Sequence, residues 1–212
     1  MEIPIPTYIY HITHIDNLVP IVQTGGLYSY NKMQTENRGY RNIAHQNIQD
    51  YRAHKIVPCS PGEVLHNYVP FSFAPRSPML CSLYHNNVAG HTGGQTPIIH
   101  LVTDVQKISE AGLEYVFTDG HGKMEISDFY NEIDRLDQVD WEIMKTRYWY
   151  DTNVDPDRKR RRQAEFLVKD FCPWALIFKI GVINSSLCSR VQMLFENSEH
   201  KPVVSVHSNW YY

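Results

Sequence analysis

Glu165 offers the clearest chemical opportunity in this sequence. It stands in an apolar run, Ala164-Glu165-Phe166-Leu167-Val168, directly after five consecutive cations, Arg158-Lys159-Arg160-Arg161-Arg162 and Gln163. A carboxylate in apolar surroundings is costly unless paired, so Glu165 is a working group, or sits at an exposed strand start, or forms a salt bridge to one of the preceding arginines. The cationic run also has two readings. It is a solvated face, or a phosphate-contacting loop that delivers a nucleic acid to the carboxylate beside it. The formal net charge is −3, so five clustered cations make the field asymmetric, which favours the second reading. Arg41, Arg52 and Arg76 are candidates to extend the patch, with Tyr148 and Trp149 as aromatic surfaces for bases.

His11 and Thr13 alternate along an apolar segment, which points both to one face of a strand where they can hydrogen-bond a polar ligand. A structural role for His11 is the alternative. Arg76 lies in a bend between Pro75 and Pro78, so it loses little freedom on gripping a phosphate or carboxylate. His121 sits in a tight turn, Thr118-Asp119-Gly120-His121-Gly122, that lacks Walker spacing. No GxSxG nucleophile motif is present. His11 and His14 come with no further Cys/His ligand set, so no metal is expected.

These residues need elements to hold them. Tyr8–Ile12 reads as a strand, followed by a helix of one or two turns that contains Pro20 and ends at Gly25-Gly26. Residues 29–41 read as a loop and 42–54 as a helix. Residues 69–73 make a strand, and Ser77 caps a helix with Pro78 at its first position. A strand over 98–102, a helix from Asp104 to Gly112 and a strand over 114–117 come next, then a helix over 126–136. Strands over 164–168, 175–183 and 203–207, with a helix over 185–196, complete the pattern. Irregular alternation of this kind indicates an α+β fold with a mixed or mainly antiparallel sheet. The GxGxxG of a doubly wound nucleotide fold is missing.

The chain has 212 residues, which fits one domain over 1–212. Its four cysteines include no CxxC, as in a reducing cytoplasm. The start lacks a basic and apolar leader. Trp174–Phe178 is interrupted by Lys179 and cannot span a bilayer. Nothing heptad-like argues for a dimer, so a monomer is favoured.

Several segments together resemble the DarT family. They are Tyr10-His11-Ile12-Thr13-His14-Ile15-Asp16-Asn17-Leu18, Ile48-Gln49-Asp50-Tyr51-Arg52, Tyr68-Val69-Pro70-Phe71 with Pro75-Arg76-Ser77-Pro78-Met79, Phe117-Thr118-Asp119, Gln163–Val168 and Trp210-Tyr211-Tyr212. The resemblance runs in order from residue 10 to the end. It implies the poly(ADP-ribose) polymerase-like transferase fold, with mixed or antiparallel sheets and flanking helices. It also implies a toxin that transfers ADP-ribose from NAD+ to a base, usually thymine, in single-stranded DNA, and a DarG-type macrodomain antitoxin that reverses the modification. On this resemblance Glu165 is the catalytic glutamate and Arg52 acts at the target base. His11, Ile12 and Thr13 hold the nicotinamide ribose and carboxamide, Tyr28 lines the NAD+ pocket, and His121 lies near the target nucleotide. Pro20 departs from the family pattern, because it has no N–H to offer the cofactor.

The residues leave the acceptor open. A basic loop beside a glutamate suits RNA as well as DNA, and transfer to protein or to water would use the same NAD+ site. A nucleic-acid-binding module without catalysis is a further alternative.

Overall fold

Tyr8–His14 forms the first strand, β1, and it runs through the middle of an eight-stranded sheet. The computed structural model describes residues 2–212. The remaining strands are β2 (Gly26–Tyr28), β3 (Tyr68–Ser72), β4 (Ile98–Asp104), β5 (Tyr115–Thr118), β6 (Phe129–Tyr130), β7 (Glu165–Lys169), β8 (Phe171–Pro173), β9 (Lys179–Val182) and β10 (Val203–Val206). The helices are α1 (Leu18–Gln23), α2 (Tyr30–Thr35), α3 (Gln46–Arg52), α4 (Pro78–Tyr84), α5 (Val105–Glu110), α6 (Trp141–Lys145), α7 (Arg158–Arg161) and α8 (Ser185–Leu194).

The sheet order is β10-β9-β4-β1-β3-β7-β5-β6, with β2 and β8 paired apart as a small ribbon. Every pair is antiparallel except β9 with β10. The α+β expectation therefore holds. Strand β4 is buried along its whole length, as its unbroken apolar run requires. Phe166, Leu167 and Val168 of β7 are wholly buried. Phe166 packs with Phe73 and Phe117 at centroid separations of 6.2 and 6.5 Å. Burying side chains of this size contributes about 1.5–3 kcal/mol each.

The sheet is not equally continuous everywhere. Strand β1 pairs with β4 over seven residues and β3 with β7 over five, but β1 meets β3 only at Tyr10 opposite Ser72. Pro70 lies beside that point. It has no N–H to extend a ladder, and its carbonyl accepts from Nδ1 of His11 at 2.8 Å instead. The sheet parts along this seam, and the molecule's large cavity is lined from both sides of the gap.

Several local expectations change. Helix α1 spans six residues, with Pro20 in its first turn, where no intrahelical hydrogen bond is lost. Within residues 29–41, read as a loop, Ser29 caps α2 by accepting from the Lys32 amide. Helix α3 starts at Gln46 rather than residue 42. Residues 126–136 do not form a helix: β6 and a 3₁₀ turn at Ile133–Gln138 occupy that stretch. Helices α4 and α5 are capped by Ser77 and Asp104 as their sequences indicate. Among the described residues no helix is long and apolar enough to cross a membrane.

Candidate active site

The sheet seam sets the geometry. Tyr10 faces Ser72 and Ser72 faces Glu165, so β1, β3 and β7 bring a row of residues from three distant parts of the chain together. Glu165 opens β7, and its amide donates to Oγ1 of Thr118 at 2.9 Å. Thr118 in turn donates to the Gly120 carbonyl at 2.6 Å. One hydroxyl thus fixes the start of the carboxylate's strand and the turn that bears His121.

Arg52, the last residue of α3, donates from Nη1 to Oε2 of Glu165 at 2.7 Å. His121 Nδ1 lies 3.5 Å from the other oxygen, Oε1. The Glu165 side chain is only 14% exposed. Burial alone would raise its pKa, but the charge of Arg52 and the His121 contact outweigh burial and hold the carboxyl at about 2. Glu165 is therefore a carboxylate at any physiological pH. Nη2 of Arg52 is buried and has no acceptor in the protein. Such a donor is expensive to leave unmet, and it belongs to a residue that lines the cavity.

The cavity measures about 530 Å³. His11, Ile12, Thr13, Pro20, Tyr28, Arg52, His121 and Glu165 all line it, so the structure brings these sequence candidates together. Burial lowers the pKa of His11, with the Pro70 contact opposing it, and the neutral ring results. Because Nδ1 faces a carbonyl oxygen, it carries the proton. Nε2 is then the acceptor His11 can offer a ligand. Thr13 accepts at Oγ1 from Asn17 at 2.9 Å. Arg38 lies over the Tyr28 ring at 4.6 Å from its centroid.

Other lining residues escaped the sequence reading. Asn17 bonds Thr13 and clamps the Arg41 backbone through both its oxygen and its nitrogen. His66 Nε2 lies 2.9 Å from Oε1 of Gln49, and its ring packs on Tyr30 at 4.2 Å. Burial, then the charge of Arg52, push the pKa of His66 down to about 4. Gln49 was legible in principle, since it stands three residues before Arg52 on one helix. His66 lies in a 3₁₀ turn, Leu65–Asn67, and carries no local signal.

The basic run requires a correction. It forms a short helix, not a loop, and most of it faces inward. Arg160 pairs with Asp119 and Asp157 at 3.0 and 2.8 Å. Arg161 pairs with Asp140, Asp155 and Asp157. Arg162 is buried and donates to the carbonyls of Ile143, Met144, Thr146 and Arg76. Arg158 donates to the Tyr148 carbonyl at 2.8 Å. Of the five, Lys159 alone is exposed with no carboxylate partner among the described residues, and it lines the cavity. The run braces the His121 turn: the His121 amide donates to the Arg160 carbonyl at 3.0 Å. A Cβ at Gly120 would run into the Arg160 guanidinium, so a larger residue there would push that side chain out of its pairing with Asp119 and Asp157.

Two more placements differ from expectation. Arg76 lies over the Tyr212 ring at 4.3 Å and does not line the cavity. Trp149 is 3% exposed and serves as packing, whereas Tyr148 is 71% exposed.

Residues 10–212 match the family described as ssDNA thymidine ADP-ribosyltransferase, DarT. The chain belongs to this family. A DNA ADP-ribosyl transferase of Thermus aquaticus is 42% identical over 99% of this chain and 90% of its own length. The structure of Thermus sp. 2.9 DarT in complex with ADP-ribosylated ssDNA superposes with a TM-score of 0.94 at 41% identity, covering 100% of this chain and 99% of that one. The same DarT in complex with NAD+ gives 0.90 at 40% identity, with 100% of both chains covered. The mixed, mostly antiparallel sheet with flanking helices is thus the DarT fold.

Proposed function

We propose that the chain transfers ADP-ribose from NAD+ to a thymine base in single-stranded DNA and releases nicotinamide. One observation carries the reading: an ionised Glu165 faces the cavity beside an arginine whose second arm has no acceptor. Breaking the nicotinamide–ribose bond leaves positive charge on the ribose, and the bond's electron pair departs with neutral nicotinamide. Glu165 supplies the fixed negative charge that stabilises that centre. His11 accepts from a ribose hydroxyl through Nε2, and Ile12, Thr13, Pro20 and Tyr28 shape the surrounding wall. As a ring nitrogen of the base bonds to the ribose, its proton leaves to solvent. Nη2 of Arg52 donates to a base oxygen and stabilises the developing anion while retaining its own protons. His121 borders the target nucleotide, and Lys159 meets a phosphate. Arg76 and the arginines at 158 and 160–162 hold the walls instead of contacting DNA.

The family model runs through nearly the whole chain, which supports reading it as one catalytic domain. A cytoplasmic toxin, active as a monomer and countered by a DarG-type macrodomain, completes the proposal on the strength of the family.

Intact mass of short oligonucleotides incubated with NAD+ tests it. Thymine-containing single-stranded DNA should gain one ADP-ribosyl mass, and none should appear with Glu165→Ala. An equal gain on RNA or thymine-free DNA would overturn the acceptor. NAD+ consumption without any adduct would point to hydrolysis.

A further inference from the structure

At the edge of the cavity two rings are stacked, Trp149 on Tyr150, with centroids 4.6 Å apart and planes 30° from parallel. Trp149 is the inner ring. It lines the cavity, and its Nε1 donates to the Tyr212 hydroxyl at 2.8 Å. That hydroxyl itself donates toward the carbonyls of Arg76 and Ser77 at 3.1 and 3.3 Å. Tyr150 is the outer ring, 53% exposed. Its hydroxyl lies 3.8 Å from Sγ of Cys81, a second lining residue. Tyr150 is therefore held on one face and at its tip, while about half of its surface meets solvent.

A large ring fixed in this way has lost its rotamer freedom before any ligand arrives, so stacking on its free face costs little further entropy. The charges nearby suit a polyanion. Lys159 is exposed and unpaired on the cavity wall, and Arg147 is exposed two residues before Trp149. The acidic Asp151 accepts from the Lys159 amide at 2.8 Å, which holds that cation's backbone in place. A base presents a π-face and its backbone a phosphate, and this surface matches both.

We propose that Tyr150, braced by Trp149, is the stacking plate for the nucleobase adjacent to the target thymine, and that Lys159 faces the phosphate between the two nucleotides. The proposal rests on the single-stranded DNA acceptor argued above and extends it from the reacting base to its neighbour. It assigns the aromatic contact to Tyr150 where the sequence suggested Trp149, because Trp149 is only 3% exposed and serves as the support.

The test is steady-state transfer onto three oligonucleotides by the wild type, Tyr150→Ala and Tyr150→Phe. One oligonucleotide is intact, and the other two are abasic immediately before or after the single thymine. For the wild type, one abasic position should raise the oligonucleotide KM by between about 5- and 150-fold. Tyr150→Ala should raise KM on the intact strand by a similar factor and show no further rise on that abasic strand. Its KM for NAD+ should stay within about twofold, and Tyr150→Phe should match the wild type, since the ring and not the hydroxyl does the stacking. Anisotropy of labelled strands on Glu165→Ala, with and without Tyr150→Ala, reads the same loss without turnover. An unchanged oligonucleotide KM in Tyr150→Ala would overturn the plate. Equal further losses on both abasic strands would also overturn it. No transfer by the wild type to any strand would instead overturn the acceptor itself, and the plate with it.

Discussion

In the cavity one guanidinium meets one carboxylate: Arg52 reaches Glu165 with Nη1, and its Nη2 has no acceptor. Around α7, Arg160 and Arg161 meet Asp119, Asp140, Asp155 and Asp157, while Arg162 meets four backbone carbonyls. Among these three arginines only Nε of Arg162 is buried without a partner. Both regions are built from arginine and acid, and neither is strongly exposed. They differ in what is left unsatisfied and where. The brace uses its charges to join segments of the chain. The cavity pair keeps a buried donor in reserve on a residue that lines the cavity. Charge density alone does not mark a binding site; an unmet donor on a cavity-lining residue is the better sign.

The sharpest way to break this comparison is to neutralise each region in turn. Glu165→Gln keeps the shape and removes the charge, so the transfer rate should fall by roughly 10³-fold, about 4 kcal/mol of transition-state stabilisation. A rate within tenfold of the wild type in a mass-spectrometric time course would remove Glu165 from the chemistry. Arg162→Ala should behave oppositely and act mainly on folding. It strips four carbonyls of their donor and should cost about 3–5 kcal/mol, seen as a Tm at least ~6 °C lower. A variant with unchanged Tm and lost DNA binding would return Arg162 to the ligand.

Acid separates the regions more gently. His66 and His100 are buried, which lowers both to about 4 from the ordinary 6.5. The unfolded chain takes up these protons first, so stability should fall as pH drops from about 6.5 toward 4, by roughly 3 kcal/mol for each group. Glu165 is held below its ordinary 4.5, so its contribution is present above that pH and is lost only as pH falls toward about 2. The Tm should therefore decline between pH 6.5 and 4 while Glu165 stays ionised; a flat Tm there would contradict the burial of the two histidines. The smallest effect is expected from Arg52→Lys. A point charge can still pair with Glu165 but cannot keep a second planar donor in place. Transfer should fall by about tenfold (~1.4 kcal/mol) with little change in KM for NAD+.

Much of the frame was legible because its signals are local. The apolar run of β4, the Ser77-Pro78 cap of α4 and the strand opened by Glu165 need no knowledge of distant residues. Failures came where distant partners decide. Ile126, Tyr130 and Ile133 have helical spacing, yet residues 129–130 pair with β5. The five cations looked free because the carboxylates that bind Arg160 and Arg161 include Asp119 and Asp140, which lie 41 and 21 residues away. His11, Thr13 and Glu165 stood out by residue type and spacing, and the motif resemblance supplied their roles and that of Arg52. Asn17 stands in a segment that carries the resemblance, with nothing there to single it out, and His66 has no signal beyond its residue type.

The Arg52–Glu165 contact spans 113 residues of chain, and β1 finds its seven-residue partner only in β4. Contacts of such long range form late, after loop closure has been met by other interactions. A chain still emerging during synthesis has its guanidinium long before its carboxylate. Nor can the cavity exist until β7 is seated beside β3. A nascent chain that ends before residue 165 holds no Arg52–Glu165 pair and should leave NAD+ intact.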